Sequence, residues 1–348
     1  MSRGANGTTR IGVSTIFYGY KGDIVPKIEC LAKVFQGIGK VPFIQIGASE
    51  IDGNFLDTRR RILELQQLYG IQFTIHQSLF TGPPWGPKGF ILNIASSDYG
   101  ERNRSVFALK QSIDLAIDVG ATKVSFHGGY ATNNITQDQE YAPMSPSELI
   151  PKSEAYNNVE KSLEELLDFN RDRITLEIEN NNSRPERGYL FSEALEFLVR
   201  NAKPIRDAKE PNTSIGIKLD KRIGVVLNLG HLYYNMCKMS GDSDYQNKFI
   251  NFLQERIHEV HVSDNNGLED EHKFVGRGSA PIASMLKDLS QMNRDRSPDL
   301  ILEVHGKRYG YTDSDLSHNI LLLSQSWEIT HYTNMWDRLR KIPLIRRA

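Results

Sequence analysis

The chain has 348 residues, 39% hydrophobic and 24% charged, with a formal net charge of −1. That balance describes a soluble globular protein able to bury a core, with no whole-molecule field to draw it to nucleic acid or anionic lipid. No apolar run approaches the ~18 residues of a membrane span, Met1 to Thr9 lacks the apolar centre of a signal peptide, and Cys30 and Cys237 read as two buried thiols in a reducing cytoplasm.

Thr9 to Ile16 is a short β-like run, and Asp23 to Phe35 carries Ile24, Ile28, Leu31 and Val34 at amphipathic-helix spacing. Val41 to Gly47 predicts a second strand, Phe55 to Tyr69 a helix with Arg59, Arg60 and Arg61 on its outer side, and Ile71 to His76 a third strand. A long loop holds Thr81 to Phe90, with Trp85 among Pro83, Pro84 and Pro87. Arg102 to Val119 predicts a helix closed by Gly120, and Ala121 to His127 the fourth strand. After a polar loop from Thr132 to Ser147 come a helix over Glu154 to Asn170 and a strand over Arg173 to Glu179. Helix Leu190 to Asn201, a polar excursion (Asp207 to Lys221) and strand Ile223 to Asn228 follow, then helical pattern at His231 to Met239 and Tyr245 to Arg256. Ile257 to Val262 alternates as a buried strand, with Ile257, Glu259 and His261 on one side. Helix Pro281 to Met292, strand Asp299 to Glu303 and helix Ser314 to Thr330 complete the series.

Strands rich in β-branched residues, regularly separated by helices, imply a parallel sheet covered on both faces. Eight such units in one chain predict a single-domain (β/α)8 TIM barrel with long βα loops. The expected layout is a flexible arm over residues 1–8, the barrel over 9–330 and a basic tail over 331–348. The tail is a solvated or docked end, or a surface for an anionic partner.

Strand ends are where barrel enzymes keep their chemistry. Strand three ends in His76, strand four in His127, strand five in Glu179 and strand six in Asn228, with His231 three residues on. Strand seven ends in His261, followed by Asp270 and His272, and strand eight ends in Glu303. Five of the nine histidines thus stand at one end with three carboxylates. Imidazole and carboxylate are the preferred ligands of zinc, manganese and iron, so the pattern predicts a metal site.

The ordered set TIHQS, SFHGG, IEN, LNLGH, VHVSD, DEH before GRG, and LILE resembles the xylose-isomerase-like barrel superfamily, most of all its endonuclease IV branch. The segment Phe90 to Ile94 ahead of Arg102 resembles that branch too. The resemblance implies up to three divalent ions, usually zinc, with manganese or another divalent ion as alternatives. His76 and His127 would hold one with Glu179; Glu179 would bridge to a second shared with position 228, His261 and Glu303; His231, Asp270 and His272 would hold the third. Clustered dications neutralise a phosphodiester's growing charge and generate hydroxide at neutral pH, with Glu303 and Glu179 in the catalytic roles. The family has an aspartate where this chain has Asn228. Asparagine offers a carbonyl oxygen but no charge, so the second ion should bind more weakly.

The resemblance implies a phosphodiesterase cleaving DNA at abasic sites, expected to be a monomer. The alternative is a metal-dependent sugar isomerase or epimerase acting on a small sugar or polyol, with Glu179 and Glu303 passing a proton. A third reading is a binding protein that has lost catalysis, supported by Asn228 alone. Phe80, Trp85 and His305 are candidate substrate contacts, or loop packing. Glu177 reads as a buried structural hydrogen bond, and Asp264 as a group that fixes His261 or closes the turn.

Overall fold

The computed structural model describes residues 9–19, 22–48, 55–77, 80–81, 90–133, 149–182, 223–238, 250, 253, 256–291 and 297–341. The strands are β1 (Ile11–Ser14), β2 (Phe43–Gly47), β3 (Gln72–Gln77), β4 (Phe80–Thr81), β5 (Phe90–Ile91), β6 (Lys123–His127), β7 (Thr175–Glu179), β8 (Ile223–Asn228), β9 (Ile257–Val262) and β10 (Asp299–Leu302). The helices are α1 (Ile24–Gly37), α2 (Phe55–Tyr69), α3 (Tyr99–Asp118), α4 (Lys152–Asn170), α5 (Leu229–Lys238), α6 (Ile282–Gln291), α7 (Gly306–Tyr309) and α8 (Asp313–Lys341). A 3-10 turn over Thr15–Tyr18 follows β1. Among the described residues no helix is long and apolar enough to cross a membrane.

Eight strands close in the order β1-β10-β9-β8-β7-β6-β3-β2, and every neighbouring pair is parallel. This is the (β/α)8 barrel that the alternation of elements predicts. α2 and β8 begin and end where the sequence places them. α3 begins three residues before Arg102, because the Asp98 side chain accepts the Glu101 N–H and caps the helix there. α8 runs on to Lys341, past the Thr330 end that periodicity gave it. The expected helices at Leu190 to Asn201 and Tyr245 to Arg256 lie wholly or mostly outside the described residues, as do Trp85 and the arm over residues 1–8.

The apolar residues face outward from the strands onto the helices. Ile44, Ile46, Val124, Leu176, Ile178, Leu227 and Val260 are buried against residues such as Ile28, Leu31 and Leu109. Each such side chain contributes about 1.5–3 kcal/mol by leaving water. The other set of alternating positions faces into the barrel and is mostly polar: Gln45, Thr74 and His76; Lys123, Ser125 and His127; Glu177 and Glu179; Asn228; Glu259 and His261; Asp299. One barrel therefore holds an apolar shell outside its sheet and a polar column inside it.

At the floor of that column Lys123 is buried. Its Nζ lies 2.7 Å from Asp299 and 3.9 Å from both Glu177 and Glu259, and it donates to the carbonyl of His258 at 2.8 Å. Arg10 closes the floor with a bidentate pair onto Asp299. Glu177 is not the simple hydrogen-bonded group the sequence suggested. Among the described residues neither of its oxygens makes a hydrogen bond, and its charge is met by Lys123 and by His258 Nδ1 at 3.5 Å. His258 reaches it because β8 and β9 slip in register, Val225 pairing with Ile257 and Val226 with Glu259. The residue left over is His258, and Gly224 makes the room: a Cβ there would stand 2.5 Å from His258 Nδ1.

A further expectation is corrected: both cysteines are free and exposed, not buried. On α2, Arg59 pairs with Asp118, Arg60 with Asp57 and Glu64, and Arg61 with Asp23.

Candidate metal centre

The parallel register carries the site residues to one mouth. His127 pairs with Glu179 across β6 and β7, Asn228 with His261 across β8 and β9, and His76 stands beside Ser125. Glu303 follows the last residue of β10, where its backbone N–H donates to Val262. His76, His127, Glu179, Asn228, His231, His261, His272 and Glu303 are all buried. All nine residues proposed as ligands on sequence grounds come together here.

Six of them form, among the described residues, two groups of metal-binding size. The first is His76, Glu179 and His261; the second is His231, Asp270 and His272; within each, the ligand atoms lie within 4.8 Å of one another. Glu179 is the hub of the first. Its Oε2 lies 3.6 Å from His76 Nδ1 and 3.7 Å from His127 Nε2, and its Oε1 3.2 Å from His261 Nδ1. Asp270 is the hub of the second, with Oδ2 at 3.0 Å from His231 Nε2, 3.2 Å from His272 Nε2 and 3.1 Å from Asn182 Nδ2. The far nitrogens of the two histidines are held by main-chain carbonyls, His231 Nδ1 by Asn180 and His272 Nδ1 by Glu303. Such bonds fix the ring that presents Nε2 to a metal.

The buried charges shift one another strongly. Burial alone would raise the Glu179 and Glu303 carboxyls, but the surrounding imidazoles win: Glu179 is held well below its ordinary value, by His261 above all, and Glu303 falls to about 2. Burial drives His127 down to about 4, leaving a neutral ring suited to ligation. Against burial, Asp270 raises His272 to about 10.

The donor set fits divalent metal, and buried atoms without a hydrogen bond lie within it. Glu179 Oε2, Asp270 Oδ1 and His261 Nδ1 are buried and make no hydrogen bond among the described residues. Unpaired carboxylate oxygens in the interior are costly, and each faces or adjoins imidazoles. Asn228 engages both ends of its amide in hydrogen bonds. Its carbonyl oxygen accepts the His231 N–H at 3.1 Å, capping α5, while its Nδ2 donates to Glu179 Oε1 at 2.9 Å and to Glu303 Oε2 at 2.8 Å.

Other assignments sharpen. Asp264 closes the turn: it accepts the N–H groups of Gly276, Gly278 and Ala280, holding the loop that carries Asp270 and His272. His305 stacks on His272, ring centroids 4.6 Å apart, and burial lowers it to about 3. Phe80 lies in β4, which pairs with β5 into a two-residue hairpin that the loop's composition did not announce. Glu259 and Gln45 were missed. Glu259 Oε1 stands 3.1 Å from His261 Nε2 and accepts from Gln45 at 2.8 Å, so the pair holds the far edge of that ring. The period-2 face shared by Glu259 and His261 was the available signal.

Comparison with known proteins agrees with this architecture. An uncharacterized protein of Methanocaldococcus jannaschii is 25% identical over 290 residues, covering 82% of this chain and 89% of its own. Among solved structures, one of L-ribulose 3-epimerase is 17% identical, covering 97% of this chain and 99% of its own at a TM-score of 0.66. That of a D-tagatose 3-epimerase-like protein is 21% identical, covering 93% and 99% at a TM-score of 0.63. At those identities the two structures speak for the fold. The profile of one family, described as xylose isomerase-like TIM barrel, matches residues 35–323. With its strand order and polar mouth already in place, the chain belongs to the xylose isomerase-like TIM barrel family.

Proposed function

We propose that the protein is a divalent-metal-dependent enzyme that isomerises or epimerises a small sugar or polyol at the mouth of its barrel. The observation that carries this reading is the convergence of Glu179 and Glu303 on one point: two buried, ionised carboxylates from β7 and the end of β10 each accept from the same Asn228 nitrogen. Proton transfer beside a carbonyl needs two such groups, one to take the proton from carbon and one to return it. The solved structures that resemble the chain along almost its whole length, described as sugar 3-epimerases, support the same chemistry.

His76 and His127, which face Glu179 Oε2, would hold an ion with it, His261 lying on the Oε1 side of the same carboxylate, and His231, Asp270 and His272 would hold another. When bound, such an ion polarises a substrate oxygen. The chain's own groups do the rest. Glu303, ionised through the neutral range, accepts a proton at its carboxylate. His305, neutral and stacked on His272, walls one side of the mouth.

A second reading, hydrolysis of a phosphodiester with DNA at an abasic site as the substrate, is favoured by one specific feature. The His231, Asp270 and His272 group is a complete additional set that one-ion proton transfer does not require, whereas multi-ion sites suit displacement at phosphorus. One experiment separates the two. The protein is incubated in deuterated water with a panel of ketoses, and in parallel with an abasic-site duplex, each with and without chelator. Chelator-sensitive deuterium at carbon with a change of epimer supports the first reading. Chelator-sensitive nicking with no exchange replaces it with the second.

A further inference from the structure

The departure at Asn228 is a built feature with a consequence for metal binding. Three observations fix the orientation of its amide. Its oxygen accepts the backbone N–H of His231 at 3.1 Å, the bond of a helix N-cap, and a main-chain N–H can only donate. Its own backbone is clamped by Asn180, whose side chain donates to the Asn228 carbonyl at 3.0 Å and accepts the Asn228 N–H. The residue is wholly buried. The NH2 is therefore turned toward the carboxylates, with one N–H for Glu179 Oε1 at 2.9 Å and one for Glu303 Oε2 at 2.8 Å.

A second ion shared by Glu179, position 228, His261 and Glu303 would need a lone pair where this chain presents two N–H bonds. An amide nitrogen has none to give. Rotation about the last bond would bring the carbonyl oxygen to the carboxylates and leave the His231 N–H facing the NH2, donor against donor. Of the buried atoms without a hydrogen bond, Glu179 Oε2 faces His76 and His127 and Asp270 stands with its two imidazoles, whereas His261 Nδ1, 3.2 Å from Glu179 Oε1 and 3.3 Å from Glu303 Oε2, is a single nitrogen beside two oxygens that the Asn228 N–H groups already occupy.

We propose that the Asn228 amide stands in for a cation between Glu179 and Glu303, so that this chain binds two divalent ions, one at His76, His127 and Glu179 Oε2 and one at His231, Asp270 and His272, and none at Glu303. Glu303 is thereby a carboxylate free of metal, available to take a proton. The inference rests on the metal-dependent reading above and specifies which sites the ions take.

The test is metal content. The full chain is loaded with excess zinc, desalted and analysed by plasma mass spectrometry, alongside Asn228→Asp and Glu303→Gln. Two equivalents are expected for the wild type, three for Asn228→Asp, and two for Glu303→Gln. Three equivalents in the wild type, or the loss of one in Glu303→Gln, would overturn the inference, as would two in Asn228→Asp. Should Asn228→Asp fail to fold, the Glu303→Gln arm and the zinc anomalous peaks of wild-type crystals decide instead, a peak bonded to Glu303 being the refuting result. A wild type that retains no zinc refutes the metal-dependent reading itself, an outcome distinct from a miscount of sites.

Discussion

Replacing Lys123 by methionine tests whether the polar column inside the barrel is held up from its floor. Methionine keeps the volume and the apolar stem and removes the charge. Three carboxylates then lose a cation: Asp299 at 2.7 Å, and Glu177 and Glu259 at 3.9 Å, all buried. Arg10 continues to serve Asp299, so the unmet charge falls on the two glutamates. Removing one partner of a buried pair costs about 3–5 kcal/mol, and that is the penalty expected at pH 8. The penalty should shrink in acid. Burial already raises the Glu177 carboxyl above its ordinary value, against the pull of Lys123, and without Lys123 it rises further. A group raised in the folded state contributes stability that is complete below its unfolded value, near ~4.3, and is lost as pH climbs through the folded value. Urea unfolding followed by circular dichroism at pH 5 and pH 8 should thus show a larger penalty at pH 8. Adding Glu177→Gln should restore at least about 1 kcal/mol there. A penalty below about 1 kcal/mol at pH 8, or one equal at both pH values, would refute the reasoning.

Three further outcomes are expected. Gly224→Ala places a Cβ 2.5 Å from His258 Nδ1 and 3.1 Å from Glu177 Cγ, an overpacking that costs about 1–3 kcal/mol; in a His258→Ala background most of that cost should vanish from the unfolding curves, and an equal cost in both backgrounds would show that the contact is not its source. Asp264→Ala leaves the Gly276, Gly278 and Ala280 N–H groups without their acceptor, for about 2–4 kcal/mol in denaturant, and should weaken zinc uptake by the Asp270 group in a competition titration, whereas unchanged zinc affinity would separate the loop from the site. Saturating zinc at a hundred times its dissociation constant adds about 2.7 kcal/mol per site, so a melting curve that does not move between chelator and zinc would count against any metal bound at this mouth.

Much of this was legible because the signals repeat. Barrel strands alternate with a period of two, so a histidine or carboxylate at the last position of one strand shares its face with those at the last positions of its neighbours; His76, His127, Glu179 and His261 meet for that reason. α2 was readable from its amphipathic spacing. Cys30 was read as buried although the signal against it was present, since Ile24, Ile28, Leu31 and Phe35 define the buried stripe of α1 and Cys30 falls to one side of it. What could not be read depends on single-residue geometry. His258 turns toward Glu177 only because β8 and β9 slip by one residue at Val225, and a register shift leaves no compositional mark. The β4–β5 hairpin rests on two residues a side, too few for a period. The direction of the Asn228 amide is set by the first turn of α5 and by Asn180 forty-eight positions away, a contact the linear order does not contain.

That last contact bears on whether the asparagine marks decay or reconstruction. In a site losing its function the partners of a vanished ligand are left uncompensated, and buried carboxylates without partners are among the costliest groups a fold can keep. Here the oxygens that an aspartate and its ion would have served are each bonded, Glu179 Oε1 at 2.9 Å and Glu303 Oε2 at 2.8 Å, and the same side chain caps α5. At the mouth, the carboxylate oxygens without a hydrogen bond among the described residues, Glu179 Oε2 and Asp270 Oδ1, belong to the two groups that carry imidazoles. The bonded corner beside Asn228 and the unmet charge at the other two match the proposed centre, in which two ions are taken up and Glu303 stays free beside them.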